Sequence, residues 1–475
     1  MAEYDESNLS ENASQTDGSN GLQQAGQVQI KCILTTISGE EKDLHQFIGE
    51  INIFEDMFGN GLQGNMLVID AANLTQNLPI VGEEYIKITL TTPSMDDFKI
   101  EKTFKIYSIT NRMTLNDIGK TSYVLHFCSV EMYLDMISPV YKTFTGKTAE
   151  IAAQIFNDYI AIPRNGDDEP TPLKIVGLST KETTFTSPGW SPMKCLNWLG
   201  SRSLDDEYKA PGYLFFESNK QFYWANTEAL IDLSVKDKSI YQRYVYMAKQ
   251  ISGNSPGSDP TTGNDAAFTR NIELDYQKVE EFELVETYNN FKNVQNGYYA
   301  NRVFTLDLLS KKYTTTEYDH IASYADYKHL EMISGKSSAE VAPFPANALR
   351  GAASYTQFYP KHERLYGSGK QTEPAQPAVN DTINDVLPKR VSLVNELTNF
   401  KLIITVQGRC DIELGAVIYF SYPDGTPSAP DEKNENKEDD YYSGYYLVTA
   451  IRHKVTLNEH KMILEIVKDS LHTKA

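Results

Sequence analysis

The chain has 475 residues, more than one hydrophobic core usually organises, so we expect two to four domains. Its formal net charge of −20 argues against broad binding to nucleic acid or anionic membranes, because both depend on Lys and Arg that contact phosphate. No apolar run approaches the ~20 residues that span a bilayer, and the first residues lack the pattern of a signal peptide. We therefore predict a soluble protein, made in a cytoplasm, without membrane insertion.

The first part of the chain predicts a polar arm followed by a β-domain. Residues 1–27 are Ser, Asn, Gln, Gly and acidic residues with hardly an apolar side chain, which is typical of a disordered arm. Residues 28–130 contain alternating runs rich in Val, Ile, Thr, Tyr and Phe, which indicate strands. The predicted strands are 28–35, 47–54, 65–70, 85–90, 104–113 and 121–128.

Residues 131–235 predict a small α+β domain. A first helix is expected over 147–159, capped by Thr145, because its apolar residues fall on one face. A second helix begins after Ser191 with Pro192 as its first residue, and it turns Trp198 and Leu199 inward. Two aromatic runs at 213–216 and 221–224 flank a polar turn and predict a hairpin.

The last part of the chain predicts a second β-domain that is interrupted. Residues 236–270 form a linker region, since 253–266 consist mainly of Gly, Pro, Ser, Thr, Asn and Asp. The β-domain comprises 271–334, which opens with a strand at 272–276, and 389–470. Residues 335–388 are an inserted irregular segment or small domain. Within the second part we expect a helix at 390–399, a strand at 402–406 and a charged loop at 424–440.

Two stretches, 104–128 and 446–467, indicate that the β-domain occurs twice. In register, Ile106 corresponds to Val448, Ile109 to Ile451 and Leu125 to Leu464, and Thr-Leu-Asn recurs at 114–116 and 456–458. A strand opened by a glycine precedes each copy, with the glycines at 82 and 415. A weaker echo relates 58–64 to 291–297. The alternative is a chance similarity between two antiparallel β-domains.

The sequence predicts no catalytic, cofactor-binding or metal-binding residues. The three glycines of 59–64 match the dinucleotide fingerprint, but a strand follows them instead of the required helix. The eight histidines show no paired metal-ligand spacing, and His126 and His453 alternate within strands. Adjacent acids such as Glu83 and Glu84 point to opposite faces of an extended chain, so solvated surface roles are favoured. The four cysteines are scattered, as expected of buried reduced thiols.

Four segments in a fixed order carry a family resemblance. They are 53–90, with LQGNMLVID at 62–70 and LPIVGEE at 78–84; 184–199, with SPMKCLNWL; 296–307, NGYYANRVFTLD; and 443–453, SGYYLVTAIRH. Together they span most of 28–470. In these segments the chain resembles the central baseplate hub proteins of contractile-tailed, T-even-like bacteriophages. The segment 335–388, the loop 424–440 and the N-terminal arm depart from that pattern.

This resemblance implies a non-enzymatic structural protein of mainly β, α+β class, with two tube-like antiparallel β-domains and smaller α+β domains. Three chains would form a ring of six similar domains that joins a hexameric tail tube, or its initiator, to a trimeric puncturing spike and contacts other baseplate proteins. DNA would pass through the ring without specific binding. The protein would reside in the virion tail baseplate, after assembly in the host bacterial cytoplasm, and need no cofactor.

Two other functions stay open at the level of sequence. One is a baseplate-associated cell-wall hydrolase, against which the missing catalytic cluster weighs. The other is a host-glycan-binding β-protein, because a Tyr-rich surface suits stacking on sugars.

Overall fold

A computed structural model describes residues 25–71, 80–93, 99–114, 120–161, 170–236, 242–246, 272–308, 311–335, 337, 341–342, 355–360, 383–423 and 438–472. Strands predominate over helices in this part of the chain, which confirms the predicted α+β, mainly β class. None of the described helices has the length and apolarity to cross a membrane.

The first β-domain is a curved sheet around an apolar core. Its alternate side chains point inward, as on β5, where every second residue is buried. Along the sheet the strands follow the order β2-β1-β5-β6-β7-β4-β3, and neighbours run antiparallel. The strands are β1 Gln29–Thr35, β2 Glu41–Asp43, β3 Ile48–Asp56, β4 Gln63–Asp70, β5 Tyr85–Thr91, β6 Lys99–Thr114 and β7 Thr121–Ser129.

The second β-domain is a closed six-stranded barrel. Its strands are β13 Gln242–Tyr246, β14 Lys278–Glu286, β19 Lys401–Gln407, β20 Val417–Ser421, β21 Gly444–Val455 and β22 His460–Val467. The order around the barrel is β21-β20-β13-β14-β19-β22, and β22 pairs again with β21. The short helix α5 (Ile272–Gln277) packs beside β13 and β19. It occupies the place where the sequence predicted an opening strand, so that prediction is wrong.

The structure confirms the repeat predicted from 104–128 and 446–467. Ile106 pairs with Phe127 and Val448 with Ile466, and a single-residue bulge follows each of these pairs, at Tyr107 and at Thr449. Five strands of the first β-domain have counterparts in the second, with the same neighbours and the same antiparallel directions. In chain order, β3, β4, β5, β6 and β7 correspond to β14, β19, β20, β21 and β22. The first strands differ, because β1 runs antiparallel to β5 whereas β13 runs parallel to β20.

The α+β domain packs its helices on two small sheets around one core. β8 pairs with β10, and β12 lies between β9 and β11. Its elements are α1 Val130–Ile137, β8 Thr143–Lys147, α2 Thr148–Tyr159, β9 Leu173–Val176, β10 Glu182–Thr186, α3 Pro192–Gly200, β11 Tyr213–Glu217, β12 Phe222–Asn226 and α4 Thr227–Lys236.

Helix starts in this domain agree with the sequence at α3 but not at α2. Ser191 is the N-cap residue of α3, with Pro192 as the first helical residue, and Leu199 is buried as predicted, while Trp198 is half-buried. Thr145 does not cap α2, because β8 continues to Lys147 and that residue occupies the N-cap position. The Thr145 hydroxyl instead lies 3.3 Å from that of Thr184 on the paired strand.

The chain between β14 and β19 forms an inserted region with its own sheet. β15 lies between β16 and β18, so β15 belongs outside the barrel, although its residues fall in the segment 271–334 that the sequence assigned to the β-domain. The weaker echo of 58–64 at 291–297 thus precedes a strand that is not the counterpart of β4. The elements are α6 Asn290–Asn296, β15 Ala300–Asp307, β16 Lys312–Asp319, α7 His320–Ser323, β17 Val341–Ala342, β18 Tyr355–Pro360 and α8 Ile383–Glu396.

Other differences from the sequence prediction concern boundaries. The strand β13 lies in the predicted linker region 236–270. The helix α8 begins seven residues before the predicted 390, and it contains Pro388 within its length. A final two-residue strand, β23 Leu471–His472, pairs with β17. Most of the predicted arm and of the loop 424–440 lies outside the described residues. All four cysteines are buried, as predicted, with free thiols.

Candidate functional site at the junction of the β-domains

The strand β21 belongs to both β-domains. Its first half pairs with β20, and residues 450–455 pair with residues 51–56 of β3. Val455 at its end is fully buried in the core of the first β-domain. Because one continuous strand contributes to both cores, the two domains are fixed relative to one another by backbone hydrogen bonds and by apolar packing.

A buried polar cluster lies at this joint. Oε1 of Glu55 on β3 is 3.0 Å from Nε2 of His453 on β21, and both side chains are almost inaccessible to solvent. The second carboxylate oxygen of Glu55 accepts hydrogen bonds from the Ser218 hydroxyl at 2.8 Å and from the backbone N–H of Asn219 at 3.1 Å. A buried carboxylate is tolerated where such donors surround it, so Glu55 ties three parts of the chain together.

His460 extends the cluster but leaves one ring nitrogen unsatisfied. Its Nε2 lies 3.0 Å from Nδ1 of His453, whereas its own Nδ1 has no hydrogen-bond partner among the residues that the structure describes. Burial, and secondarily the neighbouring His453, hold the pKa of His460 well below its usual value. Gly408 provides the space for this ring, since a β-carbon there would lie 2.1 Å from the imidazole. His460 is therefore a neutral imidazole in a tightly filled site.

The β11–β12 hairpin of the α+β domain is wedged between the two β-domains. Glu217 forms a buried ion pair with Lys102 of β6 and accepts a hydrogen bond from the Leu62 N–H at 2.8 Å. Burial raises the pKa of Glu217, and the charge of Lys102 opposes that rise. On the other side, Lys220 contacts Glu413 of the second β-domain at 2.9 Å. The hairpin thus braces the angle between the β-domains.

The repeat leaves two strand edges without a partner among the described residues. In β6 the counterpart of 450–455 is 108–114, which pairs with β7 on one side and with no described strand on the other. The counterpart of β3 is β14, which pairs with β13 only at Lys278 and Val279, so the edge of 280–286 is open. Such edges are templates for pairing with another chain.

The exposed apolar residues on these edges correspond to buried residues at the joint. Thr114, which pairs on β7 as Val455 pairs on β22, is exposed, and the adjacent Met113 is 62% exposed, whereas Val455 is fully buried. Ile109 is half-buried, and its counterpart Ile451 is 1% exposed. The difference arises because β21 is covered by β3, while the matching part of β6 is not covered. Among the described residues, no strand covers this part of β6 as β3 covers β21.

Some features of this junction can be predicted from the sequence, and others cannot. His453 was interpreted as a satisfied sheet residue, and its two ring contacts agree with that. The glycine motif 59–64 is a strand connection, with Gly64 inside β4. Glu84 is buried and accepts hydrogen bonds from three backbone N–H groups, of Val81, Gly82 and Glu83, so its predicted solvated role is wrong. Glu55 was missed, because its partner lies 398 residues away and no local motif links them.

Comparisons with known proteins give structural similarities alone. No protein-family model matches the chain, and no curated protein does. A tail protein from Neisseria meningitidis MC58 is 11% identical with a TM-score of 0.49, over 93% of this chain and 97% of that one. The 43 kDa tail protein of prophage MuSo2 from Shewanella oneidensis is 8% identical with a TM-score of 0.48, over 93% and 99%. An E. coli component of the type VI secretion system is 7% identical with a TM-score of 0.37, over 93% and 76%. At these scores the similarities establish neither a family nor a function for this chain.

Proposed function

We propose that the chain is a structural hub of a phage tail baseplate, a homotrimer whose six β-domains form a ring. The observation that carries the proposal is the pair of open edges that the internal repeat leaves on β6 and β14. Within one chain, β21 covers β3. If β6 of one chain covers β14 of the next in the same way, every β-domain has the same neighbours and the ring closes.

The register of this contact follows from the joint inside the chain. The bulge between Ile48 and Glu50 on β3 matches the bulge between Val279 and Glu281 on β14, which aligns the two strands. At the joint, Lys454 pairs with Asn52 and Val455 with Ile51. The strand β6 has a second bulge, between Thr110 and Met113, so Met113 takes the place of Lys454 and Thr114 that of Val455. Transferred to the contact between chains, Met113 lies opposite Glu283 and Thr114 opposite Phe282 of the neighbouring copy, and Arg112 in the bulge lies next to Glu283.

The predicted contact brings opposite charges close together and covers an exposed apolar side chain. Arg112 and Glu283 are both exposed and carry opposite charges, and opposite charges across neighbouring strands stabilise the pairing. Met113 is 62% exposed, so covering it with the neighbouring strand removes apolar surface from water. The complementarity supports head-to-tail assembly of identical chains.

The number of chains and the neighbours follow from the resemblance to T-even-like hub proteins. Three copies with two β-domains each match a hexameric tail tube on one side and a trimeric spike on the other. The ring centre would then be part of the DNA conduit. We expect its inner face to be acidic or neutral, because Lys and Arg at the lumen would bind phosphate and retain the passing DNA. A trimer structure with a closed centre or a basic inner wall would remove the conduit role.

The direct test is the mass in solution together with a charge reversal at the contact. Light scattering on the wild type should give about three times the chain mass of 53.6 kDa. Arg112→Glu places a second acid next to Glu283 of the neighbouring copy and should weaken assembly several-fold at each of the three contacts. Adding Glu283→Arg on the same chain should restore the trimer.

A matched control separates the contact from a general charge effect. Lys42→Glu makes the same change of charge on the exposed strand β2, which lies at the far end of the first sheet, and should leave the mass unchanged. A wild type that stays monomeric at every concentration would overturn the ring. A variant with both Arg112→Glu and Glu283→Arg that assembles no better than Arg112→Glu alone would also overturn it.

The alternatives are tested with the same protein. A peptidoglycan-release assay examines cell-wall hydrolase activity, and a glycan array examines host-glycan binding. If the protein is a monomer and is active in one of these assays, that activity would replace the hub as the proposed function.

A further inference from the structure

A second buried cluster lies where the inserted region meets the second β-domain. It contains His329, Glu396 at the end of α8, and Asp469, which follows β22. All three side chains are nearly inaccessible to solvent. Their ligand atoms lie within 4.8 Å of one another, although the three residues are far apart in the sequence.

The orientation of His329 exposes one nitrogen to the two carboxylates. Its Nε2 lies 2.8 Å from the backbone carbonyl oxygen of Tyr324 and must donate a proton to it, because a carbonyl can only accept. Nδ1 then faces Asp469 Oδ2 at 3.1 Å and Glu396 Oε1 at 3.8 Å. A histidine tied to a backbone carbonyl through its other nitrogen is the usual arrangement of a metal ligand.

One carboxylate oxygen in the cluster lacks a protein donor. Within the described part of the chain Glu396 Oε1 makes no hydrogen bond although the residue is only 4% exposed, and its Oε2 lies 3.3 Å from Nε2 of His320. Asp469 is better satisfied, since it accepts from the Leu330 N–H at 3.1 Å and from the Ser470 hydroxyl at 2.7 Å. An unpaired carboxylate oxygen in a dry interior is costly unless a cation compensates it.

The charges around the cluster are also unbalanced. Glu228 on α4 is buried nearby and accepts from the Lys328 N–H at 2.7 Å, which brings a third carboxylate to the same region. Lys468, a buried lysine beside the cluster, pairs with Glu331 at 3.4 Å. Burial raises the pKa of Glu228 to about 8, so Glu396 and Asp469 are the carboxylates whose charge needs compensation at neutral pH. The imidazoles of His329 and His320 lie beside them, and a protonated His329 alone neutralises only one of the two.

We propose that His329, Glu396 and Asp469 bind one divalent transition-metal ion, with Zn²⁺ as the first candidate. One imidazole nitrogen and two carboxylate oxygens suit Zn²⁺, whose bonds to such ligands are about 2.0–2.2 Å. The two separations from Nδ1, 3.1 and 3.8 Å, allow a common ion at that distance, and the two carboxylate oxygens must lie within about 4.4 Å of each other when the ion is bound. The ion fastens the inserted region to the second β-domain, and nothing in the cluster indicates catalysis.

The test uses the full chain, stripped with a chelator, dialysed and then incubated with ZnCl₂. Elemental analysis should find one zinc per chain, and the midpoint of thermal unfolding should rise with zinc concentration, because a ligand of the native state stabilises it. Co²⁺ in place of Zn²⁺ should give the visible absorption of a low-coordinate site. That spectrum reports coordination, which a purely structural hydrogen-bond cluster would not produce.

Two conservative variants and one control complete the experiment. Glu396→Gln and Asp469→Asn keep the side-chain shape but should each lower zinc affinity at least tenfold and abolish the thermal shift. Asp411→Asn, which changes a half-buried carboxylate that pairs with Arg409 outside the cluster, should bind zinc like the wild type. A wild type without bound zinc overturns the proposal. Stoichiometric zinc that both Glu396→Gln and Asp469→Asn retain places the ion elsewhere and overturns it equally.

Discussion

The Glu55 carboxylate of the first β-domain lies 3.0 Å from the His453 imidazole of the second, and both residues are buried. The pair closes the joint that β21 makes with β3. Because Glu55 also accepts from Ser218 and Asn219, a single side chain holds two β-domains and the hairpin between them.

Removing this carboxylate should weaken the whole junction. Glu55→Ala leaves the donors of His453, Ser218 and Asn219 without an acceptor, and we expect it to lower the free energy of unfolding by about 3–5 kcal/mol. Glu41→Ala, on the exposed strand β2, should change it by less than about 0.5 kcal/mol. Urea and thermal unfolding measure both. Equal effects of the two substitutions would show that the junction does not depend on Glu55.

The same junction should be sensitive to acid through His460. Its pKa is held well below 6.5 in the folded chain, so below about pH 6.5 the unfolded chain binds a proton that the folded chain does not. Stability should therefore fall as the pH drops below that value, by up to about 1.4 kcal/mol per pH unit. His460→Asn cannot titrate and should flatten that part of the profile, measured as unfolding midpoints between pH 7 and 5. A variant profile parallel to that of the wild type would contradict this assignment.

The helix α3 should stabilise the α+β domain through its inner face. Leu199 is 1% exposed in the core, so Leu199→Ala should cost about 2–5 kcal/mol by leaving a cavity. Lys194 is exposed on the same helix, and Lys194→Ala should cost little. Comparable losses in denaturant titrations of the two variants would mean that the helix buries a different face.

The glycine at 64 should be irreplaceable for a steric reason. A β-carbon there would lie 2.3 Å from the Phe127 ring and 2.5 Å from the Asn52 carbonyl oxygen, so β3 and β7 would both have to move. We expect Gly64→Ala to cost more than the roughly 1–3 kcal/mol of ordinary overpacking. Gly59→Ala meets its nearest neighbour, Asp56, at 3.3 Å and should be milder. Folding yield and thermal midpoint distinguish them, and similar values would argue against the close strand contact.

The repeat and most of the strands can be predicted from the sequence alone. Alternation of apolar residues is local, so the strands at 85–90 and 121–128 are visible without a partner, and the match of Ile106 to Val448 fixes even the shared register. The start of α3 is likewise local, because Ser191 and Pro192 are adjacent. These features depend on residues that are neighbours in the chain.

The way in which the two repeats are joined depends on tertiary contacts. Gln242–Tyr246 is a barrel strand because β20 and β14 lie on either side of it, and nothing within its five residues requires this. The helix at Ile272–Gln277 replaces a predicted strand where it packs beside β13 and β19. Likewise, Glu55 and His453 meet across 398 residues. Edge pairing and the burial of charged groups are settled by long-range contacts, which local propensity cannot specify.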